Sequence, residues 1–352
     1  MDNVIGGRAG EYFDHAWAQF STLVRRGDTQ THCYRVAGLS LRIEASNGAL
    51  AHSISRALSH LETDAADAPD LTLAVWDSQG TGTDSLRPAW TTSDYGDCGL
   101  IAGFNDSRFH IAAPYDPVPV LRMLDRETRR AIYWTPDSQK LPEWEFGIPL
   151  RTLIHEWMLS NDRFMVHGGA VGHANGGVLL AGAGGQGKSN TALSCLNSDL
   201  LYASDDLCVV TDSPDWQVHS LYATGKMVAG DLYRHPHLAA HVSNPDALDR
   251  EKALFYLHEV FPERIIRSMP LLAVVMPQVI ARGASEIVPA SRGATQRAIA
   301  TSTIEMSRWT AAFTFTAAAK LARALPSFTL RIGEDFPNVP TLIGALIDRL
   351  CR

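Results

Sequence analysis

A glycine-rich segment near the middle of the chain constrains the fold more than any other feature. Residues 182–189 read G-A-G-G-Q-G-K-S, the complete pattern G-x-x-x-x-G-K-[ST] of a phosphate-binding loop, or Walker A motif. Glycines let consecutive backbone N–H groups turn towards phosphate oxygens, and the helix that follows adds the positive end of its dipole. The segment therefore predicts a nucleoside triphosphate site that works with Mg²⁺.

The residues on either side of the loop fit this interpretation. Val178–Leu180 is a short apolar strand, and Ala192, Leu193 and Leu196 form one face of a helix after the loop. An ordinary glycine turn is the alternative, but a structural loop would not need lysine beside serine. The predicted nucleotide contacts are Gly182, Gly184, Gly185, Gln186, Gly187, Lys188, Ser189 and Asn190. Ser189 is also a predicted Mg²⁺ ligand.

Two adjacent carboxylates follow the next apolar strand. Leu200–Ala203 ends in Ser204-Asp205-Asp206, and the short spacing from the loop predicts that this strand neighbours the loop strand. A Mg²⁺ ligand and a hydroxyl-activating base are needed at the carboxyl ends of such strands. Adjacent strand residues point to opposite faces, so we expect Asp205 and Asp206 to have different roles. A solvated Asp-Asp turn is the alternative.

Composition narrows the class of protein. The chain has 352 residues with 45% hydrophobic and 20% charged residues, which predicts a globular protein of two domains. A formal net charge of −7 argues against a nucleic-acid partner. Five cysteines without a C-x-x-C pair indicate reduced thiols. The longest apolar run, Leu271–Met276, is too short for a bilayer, and no signal peptide is visible, so we expect a cytoplasmic protein without a membrane partner.

The predicted domains are residues 1–147 and 148–352. The first is an α/β accessory domain, a candidate for substrate recognition, with strands predicted at Tyr34–Ile43 and Leu71–Trp76. A helix over 149–159 is expected to lead into the second domain. Its His155-Glu156 pair does not extend to H-E-x-x-H, so a zinc-protease site is rejected.

The residues around the loop resemble the catalytic domain of HPr kinase/phosphorylase, a bacterial serine protein kinase. The resemblance covers about residues 165–210 and is carried by Val166-His167-Gly168-Gly169, the phosphate loop and Ser204-Asp205-Asp206. It implies an α/β phosphate-loop core related to the ATP-type phosphoenolpyruvate carboxykinases, and use of ATP. It also implies that His167 is an active-site residue, although residue type alone fits a structural strand histidine equally well. Asp205 and Asp206 match the family's metal-associated and catalytic acids: Asp205 is the expected metal ligand, and we favour Asp206 as the base, with the choice between the two left open. By analogy, the resemblance implies that the protein forms a homo-oligomer.

The downstream sequence departs from that family and is similar to the HPr-kinase-like proteins of lasso-peptide biosynthetic clusters. The segments that carry this second similarity are 219–227, 250–254, 289–291 and 300–303. It implies ATP-dependent phosphorylation of a serine at the C-terminal end of a precursor peptide. Lysine occurs at only five positions, and Lys226 and Lys252 are candidates to neutralise the transferring phosphoryl group or to hold the peptide carboxylate. Each could equally be a surface lysine. Arg250 is a weaker candidate, and Glu251 is a candidate replacement for the missing metal-associated glutamate of the family.

Three hypotheses about function remain open at this point. The first is a peptide serine kinase that modifies a lasso-type precursor, and it fits both the core motif and the downstream pattern. The second is an HPr-type protein serine kinase/phosphorylase, which lacks its second glycine-rich signature here. The third is a nucleotide-binding module or a small-molecule kinase, which needs only the phosphate loop.

Overall fold

A computed structural model of the chain describes residues 2–64, 67–114 and 118–352, which separate into two units, Met1–Asp162 and Arg163–Arg352. The boundary follows the helix Arg151–Leu159, so the prediction that the second domain begins at residue 148 is not matched. Glu156 of that helix forms an ion pair of 2.7 Å with Arg126. This pairing holds the helix in the first unit.

The first unit is built on a mixed sheet in which the described strands follow the order β1-β2-β3-β6-β5-β4. Its strands are β1 (Thr29–Val36), β2 (Leu39–Ser46), β3 (Leu71–Asp77), β4 (Phe109–Ala112), β5 (Leu121–Asp125) and β6 (Arg130–Thr135). Its helices are α1 (Asp2–Arg26), α2 (Gly48–Leu58), α3 (Ser78–Thr81), α4 (Glu143–Gly147) and α5 (Arg151–Leu159). Aromatic residues of α1 pack on the sheet, and the rings of Phe20 and Trp76 lie 5.3 Å apart.

The predicted strand Leu71–Trp76 is confirmed as β3, whereas the single strand predicted over Tyr34–Ile43 is wrong. Val36 pairs with Leu39, so the chain reverses at the two residues between them. Ala37 has φ of 47° and Gly38 has φ of 86°, the pair of positive values that a tight hairpin turn requires.

The second unit contains an extended sheet whose described strands follow the order β10-β8-β9-β15-β12-β11-β7. Strand β17 also pairs with β15, and β16 pairs with β17. Its strands are β7 (Phe164–His167), β8 (Gly169–His173), β9 (Gly176–Leu180), β10 (Leu201–Ser204), β11 (Leu207–Thr211), β12 (Gln217–Ser220), β15 (Ser268–Val279), β16 (Glu286–Pro289) and β17 (Ser327–Ile332), while β13 (Thr224–Met227) and β14 (Ala253–Tyr256) form a separate two-stranded ribbon. Its helices are α6 (Lys188–Ser194), α7 (Pro236–Ala239), α8 (Leu257–Val260), α9 (Arg292–Met306), α10 (Ala311–Ala324) and α11 (Val339–Leu350). Both units are thus mixed α/β.

The direction of three strands sets the position of the predicted site. Strand β8 lies between β9 and β10 and pairs antiparallel with both, so β9 and β10 run in the same direction. Ser204 pairs with Ala170, which pairs with Leu179 on the other side. The phosphate loop after β9 and the carboxylates after β10 therefore leave the sheet at the same edge. The prediction that these two strands are direct neighbours is wrong, because β8 lies between them.

Within the described residues, no helix is both long and apolar enough to cross a membrane.

Candidate active site

The phosphate-loop segment lies between β9 and α6, as the sequence predicts. Three of its glycines adopt backbone angles that other residues rarely reach, with φ of 154° at Gly182, 79° at Gly185 and 97° at Gly187. The Gln186 side chain accepts a hydrogen bond of 3.0 Å from the N–H of Ala183 and so closes the loop on itself. Residues 184–186 are exposed, which leaves the turn of the loop open to a ligand.

Lys188 is the buried cation of this loop. Its Nζ donates hydrogen bonds to the carbonyl oxygens of Gly182, at 2.7 Å, and Ala183, at 3.1 Å. Burial lowers the pKa of the ammonium group; the carboxylate of Asp206 opposes this shift, and the charge of Lys252 adds to it. A phosphate could take the place of the two carbonyls, and its negative charge would favour the ammonium form of Lys188 more strongly than neutral acceptors do.

The next two residues of α6 differ in their surroundings. Ser189 is half-buried at the start of the helix. The Asn190 side-chain amide donates a hydrogen bond of 2.9 Å to Asp231, whereas its Oδ1 is buried and has no hydrogen-bond partner in the part of the chain that the structure describes. Asn190 thus ties the loop helix to the segment after β13, a contact that the sequence did not predict.

Asp205 occupies a buried position supported by neutral donors. The Tyr202 hydroxyl lies 2.8 Å from its Oδ1, and the backbone N–H of Lys226 donates to its Oδ2 at 3.1 Å. Burial, together with the neighbouring charge of Asp206, raises the pKa of Asp205 above its ordinary value. The Tyr202 contact has no signal in the sequence, because tyrosine three residues before an aspartate is not a known motif.

Asp206 is held by two basic side chains instead. Its Oδ2 lies 2.6 Å from Lys226 Nζ, and its Oδ1 lies 3.1 Å from His167 Nε2. Burial acts to raise the pKa of Asp206, but Lys226 and His167 outweigh it and hold that pKa well below the ordinary value. The two adjacent carboxylates thus have opposite electrostatic environments.

His167 reaches Asp206 because β7 pairs with β11, which places His167 opposite Leu207. Helix α9 fixes the ring from the other side, since His167 Nδ1 lies 3.1 Å from the Ser302 carbonyl oxygen. The His167 N–H also donates to the Thr303 hydroxyl at 3.2 Å. The downstream segment 300–303 therefore contributes to the site by orienting the histidine.

Glycines after His167 allow the close approach. Gly168 separates β7, which ends at His167, from β8, which begins at Gly169. A Cβ atom on Gly169 would lie 3.0 Å from the Ser204 carbonyl oxygen and 3.3 Å from the Asp205 Cα atom. Any larger residue at position 169 would push against the backbone that carries the carboxylates.

One candidate lysine lies in the β13–β14 ribbon and the other lies next to it. Lys226 is opposite Leu254, and Met227 is opposite Ala253, so Lys252 stands one position beyond the end of the paired segment. Lys226 contacts Asp206 directly, whereas Lys252 is exposed and acts on Lys188 through its charge. Arg250 is exposed and pairs with Asp249 at 3.2 Å, and Glu251 is half-buried.

The structure thus brings the loop lysine and the carboxylates into one electrostatic cluster. Asp205 and Asp206 both favour the charged form of Lys188, and Lys226 and His167 complete the cluster. Oxygen donors suited to Mg²⁺ are present in Ser189 and in the carboxylate of Asp205, whose oxygen atoms each retain a lone pair beyond the observed hydrogen bond. Among the described residues, no three or more His, Cys, Asp or Glu side chains form a group that could hold a metal ion by themselves.

Comparisons with known proteins do not assign a family. No family model matches the chain. No curated protein matches it either. Among solved structures, the Hpr(Ser) kinase/phosphatase from Coxiella burnetii is similar at 9% identity over 51% of this chain and 93% of that chain, with a TM-score of 0.29. Similarity at that level carries no weight for fold or function.

Proposed function

We propose that the protein transfers the γ-phosphoryl group of ATP, with Mg²⁺, to the serine hydroxyl of a peptide, and that this serine is the C-terminal residue of a lasso-peptide precursor. The observation that carries the proposal is the cluster in which the phosphate-loop lysine, Lys188, lies within electrostatic range of an Asp206 carboxylate held by Lys226 and His167. A module that only bound a nucleotide would need the loop and no such carboxylate.

The residues of the cluster suit the separate tasks of phosphoryl transfer. The bond between the γ-phosphorus and the oxygen of the ADP leaving group breaks, a bond from phosphorus to the serine oxygen forms, and the serine proton passes to Asp206. Because the transition state is loose, orientation of the hydroxyl and charge neutralisation matter more than a strong base. A carboxylate that is ionised before transfer can accept the hydrogen bond of the serine hydroxyl until the proton passes to it.

Charge neutralisation falls to the cations. Lys188 is placed to bind the phosphates from the loop side, and Lys226 lies on the carboxylate side. Mg²⁺ bound by Ser189 and Asp205 would neutralise further negative charge on the phosphates. Asp205 has to be deprotonated to bind a cation, and a divalent ion would oppose the effect of burial on its pKa.

The choice of a precursor peptide rests on the downstream similarity and on the position of its residues. Segment 300–303 contacts His167, and segment 219–227 supplies Lys226. Both segments carry the similarity to lasso-cluster kinases, and both contact the cluster.

Incubation with γ-labelled ATP tests the proposal directly. A serine-terminated lasso precursor peptide and an HPr-like carrier protein are offered side by side. Label on the peptide supports the proposal, label on the carrier protein supports an HPr-type kinase, and label on neither refutes a peptide or protein kinase. Lys188→Ala should abolish transfer, with Lys320→Ala as the matched control because Lys320 pairs with Asp212 instead. Full activity of Lys188→Ala would contradict the loop assignment.

The two carboxylates are separated by a second pair of variants. Asp206→Asn should lower the rate of transfer with the Mg²⁺ requirement unchanged, whereas Asp205→Asn should raise the Mg²⁺ concentration needed for half-maximal activity. If Asp206→Asn transfers phosphate at the wild-type rate and still requires Mg²⁺, Asp206 is not the base.

A further inference from the structure

Lys252 has a defined place beside the proposed active site but no partner of opposite charge. In the described part of the chain, its ammonium group forms no ion pair, although nearby Arg250 pairs with Asp249 and Lys226 with Asp206. Its charge nevertheless acts on Lys188. An unneutralised cation next to two others is unfavourable in the absence of an anionic ligand.

The backbone around Lys252 is held in place. The buried Asn244 side chain donates a hydrogen bond of 2.9 Å to the Lys252 carbonyl oxygen and accepts one of 2.8 Å from the N–H of Leu254. These two bonds fix the chain immediately before β14. Lys252 therefore projects from a fixed position, unlike a lysine on a free loop.

The ribbon register places Lys252 on the same side as Lys226. Residues directly opposite each other in an antiparallel pair share a face, and so do residues two apart in one strand. Lys226 is opposite Leu254, and Lys252 lies two residues before Leu254, one residue outside the paired segment; in a regular ladder this diagonal position corresponds to a Cα separation of about 7–8 Å. Lys226 reaches Asp206 from that face, and Lys252 is exposed to solvent while its charge acts on Lys188.

The surface next to Lys252 suits a peptide better than a triphosphate. The ribbon pairing ends at Met227 and Ala253, so Val228 and Lys252 are the next residues of the two chain segments, and the Val228 side chain is 58% exposed. Tyr233, on the segment that follows, is 73% exposed. Apolar and aromatic side chains gain from contact with peptide side chains, while phosphates gain nothing from them.

We infer that Lys252 is the specificity residue that binds the free α-carboxylate of the acceptor peptide, so that a serine at the C-terminus presents its hydroxyl to Asp206. This inference rests on the proposed function. The hydroxyl and carboxylate of a terminal serine are only a few bonds apart, which matches one lysine in the ribbon and a second lysine next to it. A serine within a chain, or one capped as an amide, has no such carboxylate.

The test uses one serine-terminated precursor peptide in two forms, the free acid and the C-terminal carboxamide. The full-length wild type, Lys252→Gln and the control Lys320→Gln are compared by kcat/KM for each form and by KM for ATP. We expect the wild type and Lys320→Gln to prefer the acid by about 10- to 100-fold, the value of one charge-assisted hydrogen bond. Lys252→Gln should reduce this ratio to near one, with an unchanged melting temperature showing that the variant is folded.

The outcomes separate this inference from the proposed function. Equal transfer to both forms by the wild type, or a preference retained in Lys252→Gln, overturns the role of Lys252 and leaves the kinase activity standing. A rise in KM for ATP by the same factor with both peptides would assign Lys252 to the nucleotide and also overturn the inference. Transfer to neither form refutes the proposed function, and the inference fails with it.

Discussion

The ion pair between Lys226 and Asp206 should contribute measurably to stability. The pair has a separation of 2.6 Å, and its side chains are only 13% and 23% exposed. Exposed pairs are worth less than about 1 kcal/mol, and breaking a fully buried pair costs about 3–5 kcal/mol. Because this pair lies between these limits, we expect a coupling free energy of about 1.5–3 kcal/mol.

A double-mutant cycle measures that coupling. Lys226→Met, Asp206→Asn and the double variant are compared with the wild type by urea unfolding at pH 7. Each single change leaves one charge without its partner, so the double variant should lose less stability than the sum of the two single losses. The surface pair of Arg331 and Glu286, at 2.8 Å and about half exposed, is the matched control and should couple by less than about 1 kcal/mol.

The pH dependence of the cycle provides a second criterion. The folded-state pKa of Asp206 lies below the unfolded-state value near 4, so its stabilisation is fully present above that pH. It should be lost as the pH falls from 4 through the folded-state pKa, by up to about 1.4 kcal/mol per pH unit. Additive single and double variants at pH 7, within about 0.5 kcal/mol, would refute the assignment of Lys226 as the principal partner of Asp206.

Three further predictions address other parts of the chain. Tyr202→Phe removes the buried hydroxyl that contacts both Asp205 and the Thr224 carbonyl oxygen, and it should cost about 1–3 kcal/mol in urea unfolding; an unchanged midpoint would contradict these contacts. Gly169→Ala places a Cβ 3.0 Å from the Ser204 carbonyl oxygen, so phosphate transfer should slow and the free energy of unfolding should fall by about 1–3 kcal/mol. A wild-type transfer rate would show that the backbone shifts to accept the extra methyl group without disturbing the carboxylates. Burial lowers the pKa of His110 from 6.5 to about 4, so the stability that depends on its neutral imidazole is fully present above pH 6.5 and is lost as the pH falls through 4. The free energy of unfolding should fall by up to about 3 kcal/mol over this range. His110→Gln has no group that titrates there and should remove this pH dependence from the unfolding free energy.

Local features of the site were predictable from sequence because their signals are contiguous. The strand, the glycine loop and the helix start fall within residues 176–194, and the structure has them as β9, the loop and α6. The same holds for β3, where an apolar run follows turn residues. Hydrophobic periodicity and glycine placement are sufficient when all the determinants lie within one window.

Contacts between distant segments were not predictable in the same way. Residue type alone left His167 undecided between a catalytic and a structural role, and left Lys226 undecided between an active-site and a surface lysine. The histidine reaches Asp206 through the pairing of β7 with β11, and the lysine reaches it through hydrogen bonds of β13 to Tyr202 and Asp205. Such pairings depend on how the whole sheet assembles, so a single sequence does not reveal them.

Two errors have identifiable physical causes. The hairpin turn at Ala37-Gly38 was missed because alanine at positive φ is uncommon, and Ala-Gly is a weaker turn signal than Asn-Gly. The domain boundary was placed too early because a helix following a proline indicates where an element begins, and not which unit it packs against. The contact of Glu156 with Arg126, far earlier in the sequence, decides that question.

Lys226 contacts Asp205 and Asp206 through different atoms, so one substitution can test the roles of the two carboxylates separately. Its backbone N–H binds Asp205, and its ammonium group binds Asp206. Lys226→Met deletes the second contact and retains the first, because every residue except proline has a backbone N–H. The variant should therefore raise the pKa of Asp206 and lower the transfer rate, while the Mg²⁺ concentration for half-maximal activity, which depends on Asp205, should change little. If both parameters shift together, the two carboxylates act as one unit, and no division between base and metal ligand can be maintained.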